Sequence, residues 1–454
     1  MKKIICFLTI VMLIVGVTFI PTNAATKSPR DFKTNGNGGK TDVGTWYCTY
    51  HNSGMFARNF GTEFPIKFRA LMPDGSYGIL DSSVVEYIDW QLKNIAEAKI
   101  DFILFDNTNG GFTEKVPYGD GNWWIVDNTI LACERIAEWN KNNEWQLRYA
   151  QAIGAYEKIR SDSALSIGEV IEYQAEAIYK DFYKNETYGD AYYTIEGKPL
   201  LVVYHWAYNV ITCEDGWDNY KGDRTYGDKF TVRAAQLGEK GTYGWDNRKG
   251  PSFHPEVMIV CPGHATHGDD VYPSIYRDNG AWYRKSWETV LNNTSPRIVM
   301  ISSFNDYHEN TGVFITDSSN CVAEYDEVWY DVNGNINPTM YWDMTKEGIN
   351  KLRVKNGDKI KGLDTSVSVD GYITVGEGIA KKPEYVATKL KDPKVYTEEE
   401  LFIVGDFEDE PILENSSGNT LLITIIIIST IVLLAVIGLT LYFIVFKKTK
   451  KVDS

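Results

Sequence analysis

The sequence has no CxxC pair, no Cys/His cluster at metal-ligand spacing, and no GxGxxG after any of its apolar runs. The first two absences argue against a zinc ribbon or finger, and the third leaves a nucleotide-binding sheet without its phosphate loop. Basic residues are in short supply too, with 46 Lys and Arg against 61 Asp and Glu and a net charge of −15. Nucleic acid is therefore a poor partner, because neutralising phosphates needs a basic surface. No internal repeat is evident. Cysteines number 6 in 454 residues. What the chain has in quantity is apolar and aromatic side chains, at 43% and 13%, including 13 Trp and 29 Tyr. Such a composition excludes a disordered or collagen-like chain.

The two ends read as targeting segments. Residues 1–24 open on Lys2 and Lys3, run apolar from Ile4 to Ile20 and reach Thr22-Asn23-Ala24, the layout of a secretory signal peptide cleaved after Ala24. Leu421–Phe446 holds 26 residues without a charge, followed by Lys447, Lys448, Lys450 and Lys451. A run of that length predicts a single transmembrane helix with residues 447–454 as a cytoplasmic tail. The expected location is the cell membrane, with residues 25–420 outside. With the basic ends set aside, that outer part carries −20. It holds Cys48, Cys133, Cys213, Cys261 and Cys321, an odd set that does not indicate a disulfide-dependent scaffold.

Residues 25–42 are Gly/Asn/Lys-rich and read as a flexible lead-in. From 43 to 353 short apolar segments alternate with amphipathic ones. Strands are expected at 43–50, 101–106, 146–152, 199–204, 257–261 and 298–304, with weaker candidates at 229–236 and 241–245. Helices are expected over 84–98, with Ser82-Ser83 as cap, and over 129–140, 167–183 and 281–292. Eight strands mostly separated by helices over about 310 residues predict an α/β fold, a (β/α)₈ TIM barrel, with a doubly wound open sheet as the competing topology. Residues 354–420 read as a small β element (Ser366–Val369, Tyr372–Val375) followed by an acidic stalk from Glu398 to Glu414.

In a barrel the reactive groups belong at the C-terminal strand ends. Those ends carry Tyr50-His51 after the aromatic Trp46-Tyr47, then Asp106-Asn107, Tyr204-His205, Gly263-His264 with His267, and Asn305-Asp306-Tyr307-His308-Glu309. The last cluster places two carboxylates three residues apart directly after an apolar run. Such a pair can divide the work at a glycosidic bond, one protonating the leaving oxygen and the other assisting attack at the anomeric carbon. The bland alternative is a pair that caps a turn or meets surface lysines. His264, His267 and Asp269 are a weak cation candidate. Asp331–Asn337 lacks the Glu that a calcium loop needs at its twelfth position and reads as a hydrophilic turn. Trp123-Trp124 are equally ordinary as a sugar-stacking platform or as core.

Ser303-Phe304-Asn305-Asp306-Tyr307-His308-Glu309-Asn310-Thr311 resembles the Ser-Phe-Asn-Glu-Trp-His-Glu-Gly-Thr signature of glycoside hydrolase family 99, the endo-α-mannosidase and mannanase group. Further segments resemble that family in the same order: Trp46-Tyr47, Asp81–Asp101, Gly197–Tyr204, and Cys261-Pro262-Gly263 with Arg277, Gly280, Tyr283 and Trp287. The resemblance implies a (β/α)₈ barrel and metal-free, cofactor-free retaining cleavage of α-mannosidic bonds. It implies Glu309 as acid/base, and Asp306 as the carboxylate that deprotonates the sugar 2-hydroxyl for internal attack on C1. The chain departs from the pattern at Asp306, where the family has Glu, at Gly154, where it has an acidic residue, and at Asp106-Asn107, where it has a Trp pair. The expected partner is an oligosaccharide or polysaccharide. Asp306 and Glu309 are expected to be catalytic, and Trp46, Tyr50, His51, Asp106, Asn107, Tyr204, His205, Asn305 and His308 to bind substrate. The rival expectations are a catalytically degenerate, carbohydrate-binding or adhesive surface protein, and a lyase or transferase on the same scaffold.

Overall fold

Seven apolar segments become parallel strands laid side by side in chain order: β1 Asp42–Cys48, β2 Phe102–Asn107, β3 Arg148–Gly154, β4 Lys198–Tyr204, β5 Thr231–Ala235, β6 Val257–Val260 and β7 Ile298–Ile301. The computed structural model describes residues 37–51, 68–116, 123–155, 165–205, 208–245, 247–265, 275–321, 327–331 and 333–375. The expected signal peptide, most of the lead-in, the acidic stretch and the charge-free run at 421–446 lie outside the described residues. Among the described residues no helix is long and apolar enough to cross a membrane.

β1 pairs in parallel with both β2 and β7, so the sheet wraps round in the order β5-β4-β3-β2-β1-β7-β6. First and last strands meeting at β1 is barrel topology, and it sets aside the doubly wound alternative, in which strand order reverses at a switch point. Among the described residues five α-helices cover the outside: α1 Val85–Glu97, α2 Trp123–Asn142, α3 Ile167–Ile178, α4 Ala281–Asn292 and α5 Met340–Asn356. α3 starts at a complete capping box, Ser166 and Glu169 each satisfying the other's backbone N–H. The Ser82-Ser83 cap expected for α1 is absent. Val84 is the cap residue, and Asp81 instead takes the Ser83 backbone and hydroxyl at 2.9 and 2.6 Å.

The sheet's eighth member is a short antiparallel strand, Thr194–Ile195, on the start of β4, and among the described residues β5 and β6 do not pair and no strand stands between them. The segment 241–245 does not run along β5, because Gly241 (φ 76°) and Gly244, packed against the Gln236 carbonyl, fold it back into a tight loop. That loop fills the seam. Tyr243 donates its N–H to Ala234 O at 2.8 Å and accepts the Trp46 indole N–H at 3.0 Å. The Arg233 guanidinium crosses to Glu256 at 2.5 and 3.3 Å. Side chains and single backbone bonds do there what a ladder does elsewhere in the wall.

Strand alternation sorts the side chains into an interior column and an outer face. Gly44, Trp46 and Cys48 share a face with Phe102, Leu104 and Asp106, their register partners. A Cβ on Gly44 would lie 2.3 Å from the Phe102 ring, so glycine makes room for the aromatic that blocks the barrel's lower end. Tyr193 stacks on that ring at 4.0 Å and donates to Asp42 at 2.7 Å. Trp46 meets Trp245 edge to face at 4.5 Å above it.

Beneath the barrel the buried Arg353 guanidinium pairs with the buried Asp101 and lies 3.7 Å from Asp358. Asp101 also accepts the Val43 N–H at 2.8 Å, so the end of α5 is locked to the starts of β1 and β2. The expected β element at 366–369 and 372–375 is not formed. Glu347 takes the Thr374 and Val375 N–H groups at 2.8 and 2.9 Å, and Arg284 holds Tyr372 and Val375 at 2.8 and 3.0 Å. With its amides spent on helix side chains, this segment has no strand to pair with. It packs on α4 and α5, burying Ile373.

Candidate active site

The loop after β7 is bent sharply enough to aim several polar groups at the barrel mouth. Thr311 and Gly312 both donate to the Asp306 carbonyl, at 3.0 and 2.7 Å, and Asn310 adopts φ 51°. Arg277 clamps the loop from outside, reaching the Asn310 side chain at 2.8 Å and the Asn310 and Gly312 carbonyls at 2.9 and 2.7 Å. Its guanidinium lies over Tyr341 at 4.4 Å.

Within this frame Asp306 is 1% exposed. One carboxylate oxygen accepts the Tyr50 hydroxyl and the Glu309 N–H (3.0 Å), and Ser303 accepts the Asp306 N–H at 2.8 Å. Burial, reinforced by the neighbouring Glu309, raises the Asp306 carboxyl above the ordinary carboxylate range, and the Tyr50 hydrogen bond opposes the rise. Glu309 is more open, its side chain 32% exposed, and sits 3.4 Å from Nε2 of the buried His264.

Asp106 is a third carboxyl at the same end. It projects from the interior column at the top of β2, beside Cys48, whose thiol lies 3.8 Å away. Thr108 donates to it through backbone and hydroxyl, at 3.0 and 2.7 Å. Burial nonetheless pushes Asp106 up to about 7, and Asp306 and Glu309 add to the rise. Burial also pushes the Cys48 thiol well up, helped by the same acids. Beside Asp106 the interior residues of β3 are Ala150, Ala152 and Gly154, so this side of the mouth is lined by small side chains. Burial thus raises two carboxyls at this end of the barrel, Asp106 and Asp306, with the more open Glu309 beside them.

The remaining expected site residues divide. Tyr50 touches Asp306. His51 is buried and donates from Nε2 to the Asn305 carbonyl at 2.9 Å; burial lowers it to about 4, so it is a neutral imidazole that fixes the loop. Asn305 is structural: its amide group binds both N–H and C=O of Cys48, at 2.8 and 3.0 Å, like an extra rung on β1. Trp46 is fully buried with its indole N–H on Tyr243, so it is barrel core and not a sugar contact. Asn107 points away from the mouth. It follows Asp106 in the strand, hence faces the helices, and bonds Gln151 at 2.9 Å and Thr129 at 3.2 Å. Tyr204 is half-buried at the interior end of β4, and the buried His205 accepts the Tyr208 N–H at 3.1 Å. His308 neighbours Asp306 and eases its charge.

His267 and Asp269 lie outside the described residues, and among the described residues no group of three or more His, Cys, Asp or Glu could hold a metal ion. The Asp331 turn is closed by its own carboxylate, which takes the Asn333 and Asn335 N–H groups at 2.8 and 2.9 Å. Sequence reasoning missed Cys48 and left His264 as a weak cation candidate; alternation from Asp106 across the β1–β2 register finds the first. Nothing in the sequence marks His264 as the partner of Glu309.

No protein-family model and no curated protein matches the chain. Among solved structures it is similar to the GH99 endo-α-mannosidase from Bacteroides thetaiotaomicron, at 15% identity and a TM-score of 0.43, over 69% of this chain and 98% of that one. A second structure of that enzyme, in complex with bis-tris-propane, matches over the same shares at 15% identity and a TM-score of 0.44.

Proposed function

We propose that the protein is a membrane-anchored glycoside hydrolase that cleaves α-linked glycans with retention. The observation that carries this reading is the meeting of Asp306, Glu309 and Asp106 at the C-terminal end of an in-order parallel barrel. Glu309, reachable from outside and held against His264, is suited to protonate the leaving oxygen and then to activate water. Asp306, fixed by Tyr50, is suited to take the proton of the sugar 2-hydroxyl, so that this oxygen attacks C1. The positions of Asp306 and Glu309 in the Ser303–Thr311 signature support the same assignment. The charge-free run at 421–446 supports the anchor, which leaves the barrel facing outward.

A second reading, a glycan-binding barrel without turnover, is favoured by one feature: Asp306 is almost wholly buried and already engaged with Tyr50 and the Glu309 amide. The full-length protein in a neutral detergent, incubated with a panel of α-linked oligosaccharides beside Glu309→Gln, separates the two. Release of reducing ends by the wild type alone supports the hydrolase. Binding of the same glycans by both proteins with no release makes it a binding protein.

A further inference from the structure

The barrel's opposite face carries a concavity unlike the rest of this acidic chain. A cleft of about 700 Å³ opens between the lead-in to β1, the approaches to β2 and β3, and the chain after α5. Four cations line it, Lys99, Arg148, Lys359 and Lys361, against the single carboxylate of Glu144. The whole protein carries −15, so four cations lining one hollow, one of them Arg148 donating to the Asp190 carbonyl at 2.6 Å, make a local inversion. We propose that this cleft binds acidic saccharides, sugars bearing sulfate or uronate groups. The proposal stands on this face alone and is independent of the reading of the carboxylate end.

The walls are built to hold their shape. The Asn37 side chain bridges Gln146, accepting its N–H at 2.7 Å and donating to its carbonyl at 2.9 Å, and also reaches the buried Asp101 at 3.2 Å. The segment carrying Lys359 and Lys361 follows Asp358, which lies beside Arg353. Trp145 is pinned by its indole N–H on Ile100 O at 2.8 Å, with the Lys99 ammonium 4.9 Å from its ring centre. A fixed aromatic side chain beside converging cations suits a sugar ring with anionic substituents.

Cations near helix C-termini often do no more than complement the helix dipole, an effect confined to the last turn. Lys359 and Lys361 lie three and five residues beyond the end of α5. The Lys361 side chain is 85% exposed, and its pairing with the equally open Glu144 at 3.0 Å is the kind that water screens. Lys359 is exposed and Lys361 is held by that one open pair, so both can turn to a ligand.

The test uses the full-length protein in a neutral detergent, titrated calorimetrically with a sulfated hexasaccharide and with its unsulfated counterpart. The sulfated sugar is expected to bind, the neutral one at least about tenfold more weakly, and the difference to shrink as salt rises. The double variant Lys359→Glu/Lys361→Glu is expected to lose about tenfold or more in affinity, with an unchanged melting temperature. Lys346→Glu, on an exposed part of α5 away from the cleft, is expected to bind like the wild type. The proposal is overturned if the sulfated sugar fails to bind, if the double variant binds it as well as the wild type, or if Lys346→Glu weakens it equally. Binding to phosphatidylglycerol vesicles but not to the sulfated sugar also overturns it.

Discussion

Asp106 is a carboxyl that the fold keeps at a cost, and the cost is measurable. Its ordinary value of 3.8 rises to about 7 in the folded chain. The folded protein therefore retains a proton that the unfolded chain releases over that interval. For a carboxyl raised in this way the sign is fixed: below the unfolded value there is no penalty, and above it stability falls until the folded group ionises. The slope is about 1.4 kcal/mol per pH unit, and across the shift the penalty reaches about 4 kcal/mol, fully present above pH ~7. Asp106→Asn keeps an oxygen for the two Thr108 donors and removes the charge. Urea unfolding followed by tryptophan fluorescence, at pH 4 and pH 8, measures the difference. The variant is expected to be more stable than the wild type by about 2–4 kcal/mol at pH 8 and nearly equal to it at pH 4, the lower bound allowing for relaxation around the buried group. An equal displacement at both pH values would refute the reasoning, because the effect would then be packing and not ionisation.

Two further outcomes follow from contacts already described. Tyr50→Phe removes the hydroxyl that holds the Asp306 carboxyl down, so the acid limb of the pH–rate profile is expected to move to higher pH; an unmoved limb would show that Asp306 does not act as the base. Arg353→Met leaves Asp101 buried without its cation and is expected to cost about 3–5 kcal/mol, with part of the loss recovered in Arg353→Met/Asp101→Asn. Thermal unfolding of both variants checks the coupling, and equal losses in the two would mean that the ion pair is not what ties α5 to the barrel.

The strands that wall the barrel were legible because each is a short apolar run bounded by polar residues, and the same reading located Asp306 and Glu309 at a strand end. Position along a strand is only half the information, however. Asp106 and Asn107 are neighbours, so one must face the mouth and the other the helices. A list that takes both ignores the period of two, and Asn107 proves to be bound to Gln151 and Thr129. Asn305 could not be told from a sugar ligand by type, since an amide that completes a strand and one that grips a hydroxyl look alike until Cys48 is seen opposite it. The segment 241–245 has the aromatic and β-branched content of a strand, but two glycines decide its path. At 372–375 strand propensity lost to Glu347 and Arg284, long-range partners that no local pattern announces.

The seam between β5 and β6 bears on how this wall can change over time. A continuous ladder commits every residue in it, since an insertion shifts the register of both neighbours. At this one place the wall is sewn by Arg233, Glu256 and a folded loop. The loop at 241–245 is held by a few such contacts, so its own residues carry no register that a neighbouring strand must keep. That loop sets the Tyr243 carbonyl and the Trp245 ring against Trp46, in the column that ends at Asp106. A change within 241–245 therefore reaches the packing around Trp46 directly, without passing through the register of any strand.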